Sequence, residues 1–68
     1  MRVNGDAIRV IRERSGLTQT AFAGMVGIDR SHLTHIEAGR RRPSPPMAAR
    51  IADELCVPMT AILAPAEL

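Results

Sequence analysis

Apolar residues recur at helical spacing in short segments of this chain, and glycine, proline and small polar residues separate the segments. The first segment predicts a helix over about residues 6 to 14, which Asn4 or Asp6 can cap and Gly16 can end. One face of this helix carries Ala7, Ile8, Ile11 and the charged Arg12.

Two shorter helices are predicted next. Thr18 can cap a second helix of two turns, and Gly27 can end it in the left-handed conformation. Asp29 can cap a third helix over about residues 30 to 38, which Gly39 ends. The apolar positions are Phe22, Ala23 and Val26 in the second helix, and Leu33 and Ile36 in the third.

The rest of the chain predicts two more helices. Ser44 can cap the fourth, with Pro45 in the first turn, where the missing N–H costs nothing. Val57 and Pro58 break the chain before a last short helix from Met59 to about Leu63. The apolar stripe of the fourth helix is Met47, Ala48, Ile51, Ala52 and Leu55. No segment alternates with a period of two, so we expect an all-α fold of five short helices in one domain, residues 1–68.

The length and composition of the chain exclude several classes of function. A chain of 68 residues, 46% of them hydrophobic, can form one small core but not a two-domain enzyme. The single cysteine, Cys56, excludes a disulfide framework or a cysteine-based zinc site. His32 and His35 have a spacing that can hold zinc, but no further ligand lies near them in the sequence, so we expect no metal and no cofactor. No serine has the base and acid of a nucleophilic enzyme, and no small-molecule substrate is evident.

Positive charge is concentrated in one part of the chain. Residues 30–42 contain four arginines against Glu37 alone, while the net charge of the whole chain is only +2. All nine basic residues are arginines, whose planar guanidinium suits phosphate and guanine; the codon usage of a GC-rich host is an alternative explanation.

The second and third helices, joined by Gly27-Ile28-Asp29, form a helix-turn-helix pattern. Ala23 is small where the two helices must lie against each other. At 100° per residue, Leu33 and Ile36 point to the core. The outward face of the third helix is then Ser31, Thr34, His35 and Ala38.

These segments resemble the Cro and lambda-repressor-like family of helix-turn-helix regulators, also called Xre-type, over about residues 6 to 64. The resemblance implies that the third helix enters the major groove, that the second crosses the DNA backbone, and that the protein binds as a symmetric dimer. Cys56 departs from the family, in which a glycine commonly ends the fourth helix. The matching blocks are Gly16-Leu17-Thr18-Gln19, Gly27-Ile28, Ile36-Glu37-Ala38-Gly39-Arg40, Arg42-Pro43-Ser44, Ile51-Ala52 and Val57-Pro58.

The expected DNA contacts follow from position and from the family. Arg30 lies in the first turn of the third helix, where its guanidinium can bind guanine O6 and N7. The family places base contacts at Arg30, Ser31 and His35, and Thr34 lies at the flank of the same face. The resemblance implies a phosphate contact for Gln19. We also expect phosphate contacts from the loop arginines, Arg40, Arg41 and Arg42. The alternatives are that Arg30 and the loop arginines are only solvated surface residues, and that His35 is a surface histidine with no contact to a base.

Two further expectations concern structure. Glu37 lies on the apolar stripe of its helix, where a carboxylate needs a partner, and Arg12 on the inner face of the first helix is the natural one. The resemblance implies the same ion pair. The proposed dimer interface lies between Pro58 and Leu68 and uses Met59, Ile62, Leu63 and Leu68. Alternatively, Ile62 and Leu63 close the core of the monomer.

The sequence therefore predicts a homodimeric regulator that binds double-stranded DNA at a palindromic operator and acts as a repressor. Phage repressors, Cro-like proteins and antitoxins all fit. The alternative is a protein-interaction module that binds a toxin or a polymerase. No apolar run approaches the roughly 18 residues of a membrane span, and no signal peptide is evident, so we expect no membrane association. The expected location is the cytoplasm of a bacterium, with the protein encoded by the host or a phage and on the nucleoid when bound.

Overall fold

The computed structural model describes residues 2–67, which form a bundle measuring 29 × 21 × 19 Å. Its four α-helices are α1 (Gly5–Arg14), α2 (Gln19–Val26), α3 (Arg30–Glu37) and α4 (Pro45–Glu54). Two short 3₁₀ turns, Met59–Ala61 and Pro65–Glu67, follow α4. None of the helices in this part of the chain has the length and apolarity to cross a membrane.

Each α-helix begins at a polar side chain that accepts a hydrogen bond from a backbone N–H of the first turn. The capping residues are Asn4, Thr18, Asp29 and Ser44. α2 ends at Gly27, whose φ of 88° is left-handed and directs the chain sharply into α3. The sequence signals for the first four helices are confirmed, because the caps and the stopping residues act locally.

The prediction of a fifth α-helix is wrong. Met59–Ala61 makes a single 3₁₀ turn, with Ala61 N–H bonded to the Pro58 carbonyl. The chain then extends, and Leu63 forms an isolated antiparallel bridge with Val3. Leu63, which was predicted to end a helix, is therefore paired with Val3 and is not helical. A bridge of one residue pair leaves no alternating pattern in the sequence, which explains why it could not be predicted.

The core lies where the four helices meet the 3₁₀ turn. Ile62 is 0% exposed within the monomer, where it helps to close the core, so in this conformation its side chain offers no surface to a partner. Met59 is half-buried and packs on the same core, Leu63 is half-buried, and Leu68 lies outside the described residues. The other core residues are Ile8, Phe22, Ala23, Val26, Leu33, Ile36, Ala48, Ile51, Ala52 and Leu55.

Two backbone positions have unusual requirements. A Cβ atom on Gly5 would lie 2.5 Å from the carbonyl oxygen of Glu37 and 2.6 Å from that of Ile36, so glycine lets the start of α1 approach the end of α3. Cys56 has a φ of 59°, in the left-handed region that favours glycine. Beyond the end of α4, the Val57 N–H bonds to the Ala52 carbonyl. Cys56 therefore takes the conformation for which glycine is common in the family.

Candidate nucleic-acid interface

The two sides of α3 differ sharply in exposure. Leu33 and Ile36 are 0% exposed and attach the helix to the core. Ser31 is exposed on the opposite side, and Thr34 and His35 are half-buried at its margins. Arg30 is exposed in the first turn of the helix. The structure therefore places the residues predicted to contact bases on one accessible surface, which has hydroxyl, imidazole and guanidinium groups.

A buried ion pair fixes α3 against α1. Arg12 Nε donates to Glu37 Oε2 at 2.7 Å, and Arg12 Nη2 donates to Glu37 Oε1 at 3.1 Å. The two side chains are only 7% and 3% exposed. Arg12 Nη1 also donates to the Leu17 carbonyl at 2.7 Å, in the loop before α2. One guanidinium thus links α1 to α3 and to the loop that leads into α2.

Gln19 extends this network to the outward face of α3. Its Nε2 donates to Glu37 Oε1 at 3.0 Å, and its Oε1 accepts from Thr34 Oγ1 at 3.2 Å. A carboxylate only accepts hydrogen bonds, so the amide nitrogen of Gln19 must face Glu37. One amide N–H of Gln19 stays available at the start of α2. The sequence did not indicate this contact, because the two residues lie on different helices.

The hydroxyl of Thr34 has a restricted role. Its single hydrogen can be donated to either of two acceptors, Gln19 Oε1 at 3.2 Å or the Arg30 carbonyl at 2.9 Å. While it makes either bond, the hydroxyl oxygen can only accept a hydrogen bond from a ligand, beside the apolar methyl group. Thr34 thus braces Gln19 and presents a weaker polar group to the surface than its residue type suggests.

The arginines after α3 lie in an exposed loop. Arg41 and Arg42 line an open pocket of about 350 Å³ together with Arg2, which precedes α1. Arg40 is exposed but does not line this pocket. None of these four arginines forms an ion pair with a carboxylate of residues 2–67, whereas Arg9 and Arg12 both do. Sequence reasoning missed Arg2, because nothing near it in the chain relates it to the loop.

His32 and His35 do not belong to a group of three or more possible metal ligands in the part of the chain that the structure describes. Within residues 2–67, no group of three or more histidine, cysteine or acidic residues is placed to hold an ion. The surface of α3 thus offers hydrogen-bonding groups and positive charge, which can contact an anionic polymer through base edges and phosphates.

This chain is similar in sequence and in fold to known helix-turn-helix proteins. The family model described as a helix-turn-helix domain matches residues 5–62. No curated protein matches the sequence significantly. The restriction-modification controller protein C.AhdI from Aeromonas hydrophila is 30% identical, with a TM-score of 0.80; the match covers 84% of this chain and 86% of that one.

Two other solved structures share the fold. The P22 c2 repressor, in complex with a synthetic operator, is 21% identical with a TM-score of 0.84, over 93% of this chain and 96% of that one. The hydroxypropylphosphonic acid epoxidase from S. wedmorenis is 22% identical with a TM-score of 0.84, but the 91% of this chain that aligns spans only 33% of the enzyme. The fold therefore occurs both in a repressor and as part of an enzyme, and the function has to be argued from the site.

Proposed function

This chain belongs to the helix-turn-helix domain family, in its lambda-repressor-like form, and from that premise we propose that it is a transcriptional regulator that binds a specific sequence of double-stranded DNA. The observation that carries the proposal is the accessible polar face of α3, which the Arg12–Glu37 pair attaches to α1 and which is followed by loop arginines that pair with no carboxylate of residues 2–67. Rigid placement matters because base-edge hydrogen bonds require defined geometry.

The proposed contacts are of two kinds: contacts to base edges, which recognise the sequence, and contacts to phosphates, which hold the protein on the DNA. Arg30, Ser31, Thr34 and His35 contact base edges in the major groove, and Arg30 makes the main specific contact, to guanine. The free amide N–H of Gln19 donates to a backbone phosphate at the start of α2. The loop arginines Arg40, Arg41 and Arg42 neutralise phosphates beside the groove and supply affinity that does not depend on sequence.

We further propose that the protein binds a palindromic operator as a homodimer and represses transcription by occupying it. The C.AhdI and P22 c2 proteins are a controller and a repressor, and the latter was solved with operator DNA, which supports this role by similarity. The two copies of α3 would then lie about 34 Å apart, one helical turn of DNA. With Ile62 buried, Met59 and Leu63, which are half-buried, are the described residues of the proposed interface that a partner could contact; Leu68, its fourth member, lies outside the described residues.

The test is selection of bound sites from a pool of random duplex DNA. A regulator of this kind should enrich one palindromic sequence, which it binds at least about 10³ times more tightly than a scrambled duplex. Its affinity should fall steeply with salt, because each phosphate contact releases counterions. Failure to enrich any sequence, together with binding that scarcely responds to salt, would favour a protein-interaction module and reject the proposal.

A further inference from the structure

We propose that Arg2, Arg41 and Arg42 together form a binding pocket for one phosphate of the DNA backbone, which makes the segment before α1 part of the DNA-binding surface. This inference rests on the proposed function and extends it to a residue far from the helix-turn-helix in sequence. The three arginines line one open pocket of about 350 Å³, whose other lining residues are Val3, Ile36 and Gly39. The pocket therefore adjoins the end of α3.

The backbone around Arg2 is fixed although its side chain is exposed. The Arg2 carbonyl accepts a hydrogen bond from the Ala64 N–H at 3.0 Å. The Asn4 N–H donates to the carbonyl of Ile62 at 2.7 Å, and the Ile62 side chain is fully buried in the core. Hydrogen bonds therefore hold both neighbours of Val3. This anchoring keeps the backbone of Arg2 beside the pocket, so that binding has to order the side chain but not the chain segment.

The opposite wall of the pocket is also anchored. Arg41 and Arg42 are exposed, but Pro43, which follows them, is buried. Its ring fixes φ and ties the loop to the body of the domain. The pocket thus has two walls, one from the first residues of the chain and one from the loop after α3, and each wall is attached to the core within two residues of an arginine.

The charges of the pocket indicate the ligand. Three arginines line it, and no carboxylate of residues 2–67 forms an ion pair with any of them. Like charges repel unless an anion lies among them, and the planar fork of arginine matches two oxygens of a phosphate. DNA is the source we propose, because the pocket adjoins α3 and its loop, where the backbone would run when α3 lies in the groove.

The first test compares Arg2→Gln with Arg9→Gln. Both variants lose one positive charge, but Arg9 already pairs with Asp6 and Glu13, at 3.7 Å and 3.3 Å. On the selected site, Arg2→Gln should lower the slope of log K against log salt by up to about 0.9 per subunit, the value for complete loss of one phosphate contact, and Arg9→Gln should leave it unchanged. The preference for the selected site over a scrambled duplex should survive in both variants. Equal melting temperatures would show that the loss does not come from folding.

The second test locates the phosphate. Each phosphate of the selected site is replaced in turn by an uncharged methylphosphonate. One position in each half-site should weaken binding by the wild type more than binding by Arg2→Gln, because the variant has lost one of the three arginines that contact this phosphate. Arg2→Lys should recover part of the salt slope, since it restores the charge without the fork.

The outcomes separate this inference from the proposed function. Wild-type protein that binds no duplex would reject both. A second outcome would overturn the pocket and leave the proposed function intact. In it, the wild type binds a selected site, but Arg2→Gln and Arg9→Gln give equal salt slopes and no methylphosphonate position affects the wild type and Arg2→Gln differently. If inorganic phosphate raises the melting temperature of the wild type but not of Arg2→Gln, while the DNA slopes are equal, the pocket binds a free anion and the inference is also overturned.

Discussion

Removal of the Glu37 carboxylate should destabilise the domain more than removal of a carboxylate at the surface. In Glu37→Ala, the guanidinium of Arg12, whose side chain is 7% exposed, loses the acceptor of its bonds at 2.7 Å and 3.1 Å. Gln19 loses an acceptor at the same time. Breaking a buried pair by removing one partner costs about 3 to 5 kcal/mol, because the remaining charge has no compensation.

The structure places the expected cost near the lower end of that range. Arg12 Nη1 keeps its bond to the Leu17 carbonyl, and Arg12 Nη2 lies 3.9 Å from a carboxylate oxygen of Glu13, which can move closer. We therefore expect a loss of about 3 kcal/mol. For a domain of this size, each kcal/mol lowers the melting temperature by about 4 to 8 °C, so Glu37→Ala should melt at least about 12 °C below the wild type.

The assay is thermal unfolding followed by circular dichroism, with Glu13→Ala as the matched control. Glu13 carries the same charge but is 53% exposed, and its loss should cost less than about 1 kcal/mol. A double variant, Arg12→Met with Glu37→Leu, should be more stable than Glu37→Ala, because it leaves no unpaired charge. If Glu37→Ala melts within a few degrees of Glu13→Ala, the ion pair does not stabilise the fold in the way argued here.

Three further predictions address the backbone, the contacts and the assembly. Gly5→Ala should destabilise the domain by about 1 to 3 kcal/mol in denaturant unfolding, because its Cβ meets backbone carbonyls of α3, whereas Gly24→Ala has open space and should be neutral or stabilising; equal effects would contradict the close approach. Arg30→Ala should lose about 1 to 3 kcal/mol on the selected site and little on scrambled DNA, while Arg42→Ala should weaken both alike; the reverse pattern in binding titrations would reject the placement of α3. Sedimentation should find two chains on each operator, and a single chain on the DNA at high protein concentration would refute the dimer.

Local signals explain why most of the fold could be predicted. Asn4, Thr18, Asp29 and Ser44 cap their own helices, and Gly27 ends α2 within a few residues of the pattern that announces it. Such interactions depend on neighbours in the sequence, so the sequence contains them. Arg12 and Glu37 could be paired for a related reason, because each interrupts the apolar face of its helix.

Long-range contacts explain the rest. The burial of Ile62 depends on pairing between the two ends of the described chain, and a short apolar segment has the same pattern whether it covers its own core or a partner. The bond from Gln19 to Glu37 and the meeting of Arg2 with the loop arginines likewise join residues on separate elements. Neither leaves a periodicity or a spacing that a single sequence can display.

The bridge between Val3 and Leu63 also has a mechanical consequence. Together with the hydrogen bonds of the residues on either side of Val3, the bridge joins the beginning of the described chain to the segment around Leu63. The helices α2 and α3 lie between these two joined segments in the sequence and take no part in the bonds that join them. A force applied through both ends, from a tether or a fused domain, acts first on these few bonds. The ends can therefore separate before α3 is displaced, and the wall of the proposed phosphate pocket that contains Arg2 would move first.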